Sequence, residues 1–337
     1  MDTLERILPI VWFGIIALFL SIYLITDGFD LGVGILTLRR NNEEEKGILM
    51  NTLSSVWDAN ETWLVCTGGA LFGAFPLAYA TIVHALYIPI TCMVVGFILR
   101  AVAFEFREHS HNKTFWSIAF AGGSLLATLS QGLILGGVLA GIKVDSTGAF
   151  IGGIWDWLNL PSILVALTVM QGYVMIGATY LIIKTEGELQ KTYYRTALLS
   201  TWATVIGAIV ITAAVPVYYE NIRDRLFHQP EVFIFALIPI LALLAVSRLI
   251  YSINARQEMT PFIWAVVVFL ITTVGLAFVV FPYIIPTQIT IFEAASSFSS
   301  QVLMITFIGF FVTIMLFYNA YLYRVFRGKV VSSHYGE

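Results

Sequence analysis

The chain places the stretch SSVWDANETWLV, residues 54–65, directly before an apolar run that continues to Ala80. Four side chains of this stretch are polar or charged, namely Asp58, Asn60, Glu61 and Thr62. An apolar run of this length predicts a membrane helix, and carboxylates at the start of such a helix are costly to insert. The stretch therefore predicts a functional site, and the remaining helices are expected to hold it at one depth.

The composition of the whole chain predicts an integral membrane protein. Its 337 residues are 58% hydrophobic and only 12% charged, whereas a soluble domain carries roughly 25% charged residues. The first apolar run is long enough to span a bilayer and has no basic segment before it, so we expect a mature helix rather than a signal peptide. Cys66 and Cys92 fall inside predicted spans, where we expect small apolar fillers rather than a disulfide or metal ligands.

Apolar runs of roughly 20 residues predict an all-α integral membrane protein with nine transmembrane helices. No polar break between these runs is long enough for a soluble domain, so residues 1–337 are predicted to form a single polytopic membrane domain. The nine runs are 8–27, 58–80, 83–104, 116–142, 159–183, 196–218, 231–253, 261–281 and 299–323.

The basic residues predict the orientation, because cytoplasmic loops carry an excess of Lys and Arg. Fourteen of the eighteen basic residues fall on one side of the predicted spans, and Arg6, Lys143, Arg223 and Arg225 fall on the other. This split predicts an N-terminus outside and a C-terminus in the cytoplasm. The fourteen are Arg39, Arg40, Lys46, Arg100, Arg107, Lys113, Lys184, Lys191, Arg195, Arg248, Arg256, Arg324, Arg327 and Lys329.

The acidic residues are the candidates for chemistry. Asp27 and Asp30 are three residues apart, as are Asp58 and Glu61, so each pair lies on one face of a continuing helix. Glycines flank the first pair in TDGFDLGVGIL, residues 26–36, and would allow close helix contact or a local break. The predicted orientation gathers the acids of the spans in the cytoplasmic half, namely Asp27, Asp30, Asp58, Glu61, Glu105 and Glu186.

Two interpretations of these acids remain open at this point. The first is a proton-conducting route that enters from the cytoplasm, which is typical of ionisable residues inside a membrane. The second is that the acids cap helix starts and pair with Arg39, Arg100 or Arg107.

Other residues receive structural interpretations. Trp57 and Trp63 are expected to pack or to lie at the interface, and Glu293 is expected to cap the last helix. The segment 281–298 is too apolar for a free loop, so we expect it to lie along the outer interface or to pack against a partner.

The histidines argue against haem in this chain. His84 alone approaches a predicted span, which gives no pair of axial ligands. The sequence also has no metal-binding or nucleotide-binding motif in a suitable structural context.

Five motifs together resemble subunit II of the cytochrome bd-type quinol oxidases. They follow in the right order from the first predicted helix to the last, and their occurrence together is more specific than any one alone. The motifs are TDGFDLGVGIL (26–36), WDANETWLV (57–65), LRAVAFEFR (99–107), QGYVMIGATYLIIKTEGEL (171–189) and FPYIIPTQITIFEAASS (281–297).

The resemblance implies a subunit of two four-helix bundles plus one peripheral helix, paired pseudo-symmetrically with subunit I. It places haem b, haem d and the catalytic centres in subunit I, so that this chain itself would hold no catalytic residue, cofactor or metal. The complex would lie in the bacterial cytoplasmic membrane, oxidise quinol and reduce dioxygen to water, contributing to the proton-motive force. The resemblance also implies a small single-helix accessory subunit and a bound quinone or lipid.

The resemblance also assigns roles to residues. Asp58 maps onto a cytoplasmic proton-uptake route, with Asp27, Asp30 and Glu105 as further candidates. Glu61 is a candidate through its spacing from Asp58 on the same predicted helix. The motifs contain Trp57, Asn60, Trp63, Arg100, Glu186 and Glu293 as structural positions.

The main alternative is a stand-alone proton-coupled transporter, which intramembrane acids would also suit. No inverted repeat is apparent in the sequence, which disfavours it. A purely structural brace is the third interpretation.

Overall fold

The computed structural model describes residues 3–218 and 231–330. It is almost entirely helical, with one short pair of antiparallel strands. The helices are α1 (Thr3–Thr37), α2 (Glu43–Asn51), α3 (Trp57–Ala74), α4 (Pro76–Ala85), α5 (Tyr87–His109), α6 (Lys113–Ala140), α7 (Leu160–Lys184), α8 (Gly187–Tyr218), α9 (Glu231–Asn254), α10 (Thr260–Val280) and α11 (Phe298–Val325), and the strands are β1 (Tyr283–Ile285) and β2 (Ile289–Thr290).

Eight helices of the described chain are long and apolar enough to cross a membrane, namely α1 and α5 to α11. This confirms the prediction of an all-α membrane protein. The second predicted span, 58–80, is wrong as a single helix, because the chain breaks at Phe75 and restarts at Pro76. A proline lacks the backbone N–H that a helix interior needs, and it is favoured at a first turn. The count of nine spans remains a prediction.

α1 lies at the centre of the packing and is longer than the predicted span 8–27. It contacts α3, α6 and α7, while α5 packs on α6 and α7 packs on α8. α9 and α10 pack on each other, α10 reaches α7, and α9 reaches α8. α11 touches α3 and α1 and buries little of its surface. TDGFDLGVGIL continues α1 without a break.

The segment 281–298 packs on its own chain. Its strands pair Tyr283 with Thr290 and Ile285 with Ile289, and the isoleucines Ile285 and Ile291 are fully buried. The backbone N–H of Ser296 donates to the carbonyl of Ala74 at 2.8 Å. This bond satisfies a carbonyl that the break between α3 and α4 leaves without its helical partner. The segment therefore packs on its own chain, which was not among the two predicted alternatives, and its position at the outer interface stays a prediction.

Candidate functional site

The guanidinium of Arg100 on α5 joins two acids from two other helices. Its Nη1 donates to Asp27 Oδ1 at 2.6 Å, and its Nη2 donates to Glu61 Oε2 at 2.9 Å. The side chain of Asp27 is 0% exposed and that of Arg100 is 2% exposed, whereas Glu61 keeps 25% exposure. The pairing interpretation is therefore correct for Arg100, and the acids that it binds are Asp27 and Glu61.

A second set of hydrogen bonds continues from the neighbouring acid. Asn60 Nδ2 donates to Asp30 Oδ2 at 2.9 Å, and the hydroxyl of Tyr323 on α11 donates to Asn60 Oδ1 at 2.7 Å. Asp30 and Asn60 are fully buried. We call Asp27, Asp30, Asn60, Glu61 and Arg100 the acidic cluster.

The local sequence explains why α1 can carry two buried acids. The spacing of three residues puts Asp27 and Asp30 on one face, and glycines on the neighbouring positions allow α7 to approach closely. A Cβ on Gly32 would lie 1.8 Å from the carbonyl oxygen of Tyr173, and one on Gly28 would lie 2.8 Å from its ring. The predicted close contact at these glycines is confirmed.

The acidic cluster holds more negative than positive groups. Three carboxyl groups surround one guanidinium, and Arg100 is always protonated in proteins. Among the described residues, Asp27 Oδ2 and Asp30 Oδ1 are buried without a hydrogen-bond partner. Because buried like charges disfavour one another, the arrangement is suited to taking up protons.

The other predicted acids lie outside the acidic cluster. Asp58, Glu105 and Glu186 are exposed on the surface of this chain. The carboxylate of Asp58 forms no hydrogen bond or ion pair within residues 3–218 and 231–330. Glu105 lines a cavity of about 160 Å³ beside Arg107 and the end of α2.

Glu293 caps a turn rather than a helix. Its carboxylate accepts hydrogen bonds from the backbone N–H and the hydroxyl of Thr290, both at 2.8 Å, and these bonds lower its pKa. The expectation that Glu293 caps the last helix is wrong, because Ser297 takes that place and accepts from the N–H of Ser300.

The two tryptophans pack against aromatic rings. Trp63 is buried and lies 5.7 Å from the ring of Phe19, between ring centroids. Trp57 is partly buried and lies 5.7 Å from Phe104.

Arg107 binds an acid that sequence reasoning missed. Its Nη2 lies 3.3 Å from Glu43 Oε2, and Ser117 and Lys46 donate to the same carboxylate. Partial burial opposes ionisation of Glu43, but the hydrogen bonds from Lys46 and Ser117 outweigh it and lower its pKa to about 2. The signal was the run of acids Glu43, Glu44 and Glu45, which form the first turn of α2 but read in the sequence as part of a polar break between spans.

Sequence reasoning also missed the polar groups deeper in the membrane. Tyr23, Gln131 and Tyr173 are joined by hydrogen bonds of 2.7 Å, and Tyr323 reaches Asn60 from the last helix. The position of Tyr23, one turn before Asp27, was the available signal. Gln131 could have been noticed as a polar residue within an apolar run.

The described histidines lie on the surface of this chain. His84, His109 and His111 are all exposed, and His228 and His334 lie outside the described residues. The part of the chain that the structure describes contains no group of three or more His, Cys, Asp or Glu residues arranged to hold a metal ion.

Comparisons with known proteins agree with the motifs. Cytochrome bd ubiquinol oxidase subunit 2 of Bacillus subtilis (strain 168) is 30% identical, over 73% of this chain and 72% of the relative. Cytochrome bd-I ubiquinol oxidase subunit 2 of Escherichia coli (strain K12) is 27% identical over 96% of each chain. A structure of bd oxidase from Geobacillus thermodenitrificans matches with a TM-score of 0.77 and 18% identity, over 95% of this chain and 98% of the other, and supports the fold.

The family model for cytochrome bd terminal oxidase subunit II matches residues 8–326. The chain therefore belongs to this family, as a multi-pass protein of the bacterial cytoplasmic membrane and a subunit of a haem-containing oxidoreductase complex that includes subunit I.

Proposed function

We propose that this chain is the haem-free subunit II of a terminal quinol oxidase and supplies its route for proton uptake from the cytoplasm. The complex oxidises membrane quinol, reduces dioxygen to water and contributes to the proton-motive force. The chain also supports assembly of the haem-bearing subunit I. One observation carries the proposal: Arg100 binds Asp27 and Glu61 between the helices α1, α3 and α5, while Asp30 lies on the same face of α1 as Asp27.

The exposure of the acids gives the route a direction. Asp58 is exposed in the first turn of α3, and Glu61 follows three residues later on the same helix face with 25% exposure. Arg100 then holds Glu61 and the fully buried Asp27 on one guanidinium. Because Arg100 keeps its proton, it stays a fixed positive charge while the carboxyl groups gain and lose theirs.

The exposed carboxylate of Asp58 supports a partner on this face. A charged group in a membrane span faces protein, water or another charge, because contact with lipid is costly. We propose that subunit I lies beside Asp58 and leaves a water-filled opening over its carboxylate, and that Glu105 lies near the same cytoplasmic entrance.

The proposed architecture has nine spans in a pseudo-symmetric heterodimer with subunit I. α3 and α4 together would form the second span, since they follow each other across the break at Phe75. We place α1, α3 with α4, α5 and α6 in one bundle and α7 to α10 in the second, with α11 peripheral; the pairs α5–α6, α7–α8 and α9–α10 pack within these groups, and α1 and α6 also pack on α7 where the bundles meet. The charge split supports an N-terminus outside and a cytoplasmic C-terminus, although Arg223 and Arg225 lie outside the described residues.

We place haem b and haem d in subunit I. The exposed positions of His84, His109 and His111 support this, because an axial ligand has to reach a haem inside the protein. A small single-helix accessory subunit and a bound quinone or lipid complete the proposed complex.

Family membership disfavours the stand-alone proton-coupled transporter, because the matched family is a subunit of an oxidase complex. The structural-brace interpretation differs in its prediction, since a brace requires the acidic cluster only for stability. Under that interpretation, Asp58→Asn leaves turnover intact in an assembled complex.

Purification tests the proposal directly. We expect a tagged chain to co-purify with a haem-bearing partner in equal amount, and we expect the haem spectrum to stay with the partner when the two are separated. A colourless homo-oligomer that transports a solute, or haem that stays with this chain, would contradict the proposal.

A further inference from the structure

A line of three polar side chains extends from the acidic cluster into the neighbouring helices. The hydroxyl of Tyr173 on α7 donates to Gln131 Oε1 on α6, and Gln131 Nε2 donates to the hydroxyl oxygen of Tyr23 on α1, both at 2.7 Å. Tyr23 and Tyr173 are each 1% exposed. These three residues are called the tyrosine–glutamine line.

The direction of these bonds determines what Tyr23 can do. An amide nitrogen only donates and an amide oxygen only accepts, so Gln131 gives a hydrogen to Tyr23 and takes one from Tyr173. Tyr23 therefore keeps its own hydroxyl hydrogen for another acceptor. Asp27 is four residues further along α1 on the same face, about 6 Å along the axis, and its Oδ2 is buried without a hydrogen-bond partner among the described residues.

We propose that Gln131 and Tyr173 are positioning residues, which keep the hydrogen of the Tyr23 hydroxyl directed toward the unpartnered Oδ2 of Asp27. This inference rests on the proposed proton route and names the residues that tune its innermost acid. Hydrogen bonds to ionised groups are among the stronger ones in proteins, so losing the orientation of Tyr23 changes how readily Asp27 takes up a proton.

The helix contacts that build this line are the same ones that bury the acids. Tyr173 sits against Gly28 and Gly32, which flank Asp27 and Asp30, and its ring stacks on Phe269 with centroids 6.1 Å apart. The close approach of α7 therefore brings Tyr173 and the acids into one packed unit. A residue needed only for packing against Phe269 would not require the hydroxyl that binds Gln131.

Several titratable groups on the surrounding helices interact with Asp27, and Gln131→Met leaves all of them in place, whereas Tyr173→Phe changes Tyr173 alone. These groups are Tyr23 and Asp30 on α1, Glu61 on α3, Arg100 on α5, Tyr173 on α7 and Tyr323 on α11.

The experiment measures oxygen consumption of the purified complex as a function of pH. Gln131→Met keeps the length of the side chain without its hydrogen bonds, and Tyr173→Phe keeps the ring on Phe269. We expect both variants to retain haem and to shift the pH profile toward higher pH by about one unit, the size expected for one hydrogen bond to a carboxylate.

The matched control is Tyr194→Phe. It removes a buried hydroxyl that binds the backbone carbonyls of Arg256 and Gln257, away from the acidic cluster, and we expect it to leave the profile unchanged.

Two results would overturn the inference. In the first, Gln131→Met and Tyr173→Phe give the same profile as Tyr194→Phe. In the second, neither variant assembles into the complex while Tyr194→Phe does, which would mean that these hydrogen bonds only stabilise the packing of α1, α6 and α7.

Asp27→Asn separates this inference from the proposed function. If Asp27→Asn slows turnover in a complex with full haem content but the line variants have normal profiles, only the positioning role fails. If Asp27→Asn itself leaves turnover and its pH profile unchanged, the proposed proton route fails.

Discussion

Arg100 Nη1 lies 2.6 Å from Asp27 Oδ1, although the two residues are 73 positions apart in the sequence. Both side chains are almost completely buried. Taking two charges out of water costs several kcal/mol per ion, and their attraction offsets this only in good geometry. Arg100 and Asp27 therefore form a buried ion pair whose stability depends on this direct contact.

Removing Arg100 should prevent normal assembly. Arg100→Met leaves Asp27 and Glu61 without their cation, and breaking a buried pair costs about 3–5 kcal/mol. We expect little complex in detergent extracts and a low haem content per milligram of membrane protein. Arg100→Lys should give an intermediate yield and haem content, because one ammonium group does not reproduce the two separate guanidinium hydrogen bonds to Asp27 and Glu61.

Arg195→Gln is the control for Arg100. Arg195 is an exposed arginine on α8, so its loss should leave the yield of complex unchanged. Normal yield and haem content in Arg100→Met would show that the pair with Asp27 does not hold the helices together.

The contact between α1 and α7 should not tolerate a methyl group at Gly32. A Cβ there would lie 1.8 Å from the backbone carbonyl oxygen of Tyr173, so Gly32→Ala has to push the helices apart. Overpacking typically costs 1–3 kcal/mol, and we expect about 3 kcal/mol or more here because backbone cannot rotate away. The midpoint of thermal denaturation of the purified complex measures the effect.

Gly14→Ala on the same helix is the matched control. Nothing lies within 4 Å of a Cβ at Gly14, and alanine is about 1 kcal/mol better than glycine in a helix. Its denaturation midpoint should be unchanged or higher. Equal midpoints for the two variants would contradict the close approach of α1 and α7.

The attachment of α2 should depend on pH through Glu43. The pKa of Glu43 is lowered from 4.5 to about 2, so the folded chain favours its ionised form. The stability that this gives is present above pH 4.5 and is lost as pH falls through about 2. We expect the α2 amides to remain protected from hydrogen exchange at pH 4, where an ordinary glutamate is largely protonated.

Glu43→Gln should speed amide exchange in α2 at pH 7, because Lys46 and Arg107 lose their charged partner. Glu44→Gln is the control, since Glu44 is an exposed neighbour on the same helix. Exchange that is equally fast in the parent and in Glu43→Gln would show that this carboxylate does not hold α2.

Much of the fold and part of the candidate site follow from local sequence. Run lengths predicted the membrane helices, and the spacing of Asp27 and Asp30 placed them on one face, as the structure shows. Arg100 was a named candidate partner because it was an arginine inside a predicted span. These inferences needed only helix periodicity and the cost of charge in a membrane.

The remaining contacts depend on helices that are distant in the sequence. Tyr323 binds Asn60 across 263 positions, and Tyr23 reaches Gln131 across 108. A single sequence gives the face of each helix but not which helices pack together. The break at Pro76 also depends on Ser296, whose N–H satisfies the carbonyl of Ala74.

Glu293 shows that local sequence does not decide which of two nearby polar residues caps a helix. An acid and a serine both stood near the start of the last helix, and the serine was one position from it. Asp58 and Glu61 pose the same problem, since both lie on one face of α3. The structure brings Glu61 to Arg100 and leaves Asp58 exposed, so the role of Asp58 depends on what covers it in the complex.

The most direct test of the central claim is the turnover of a complex with Asp58→Asn. Asp58 is exposed and forms no hydrogen bond or ion pair within residues 3–218 and 231–330, so the substitution removes an ionisable group with little structural effect. Glu188→Gln, at an exposed acid on α8, is the control. Oxygen consumption is measured at saturating quinol, and haem content is measured in the same samples.

We predict that Asp58→Asn consumes oxygen about tenfold or more slowly at unchanged haem content, because a positioned proton-transfer group typically contributes 10²–10⁴-fold. Glu188→Gln should match the parent. Equal rates for Asp58→Asn and the parent, in complexes with the same haem content, would contradict the claim that protons enter through this subunit at Asp58.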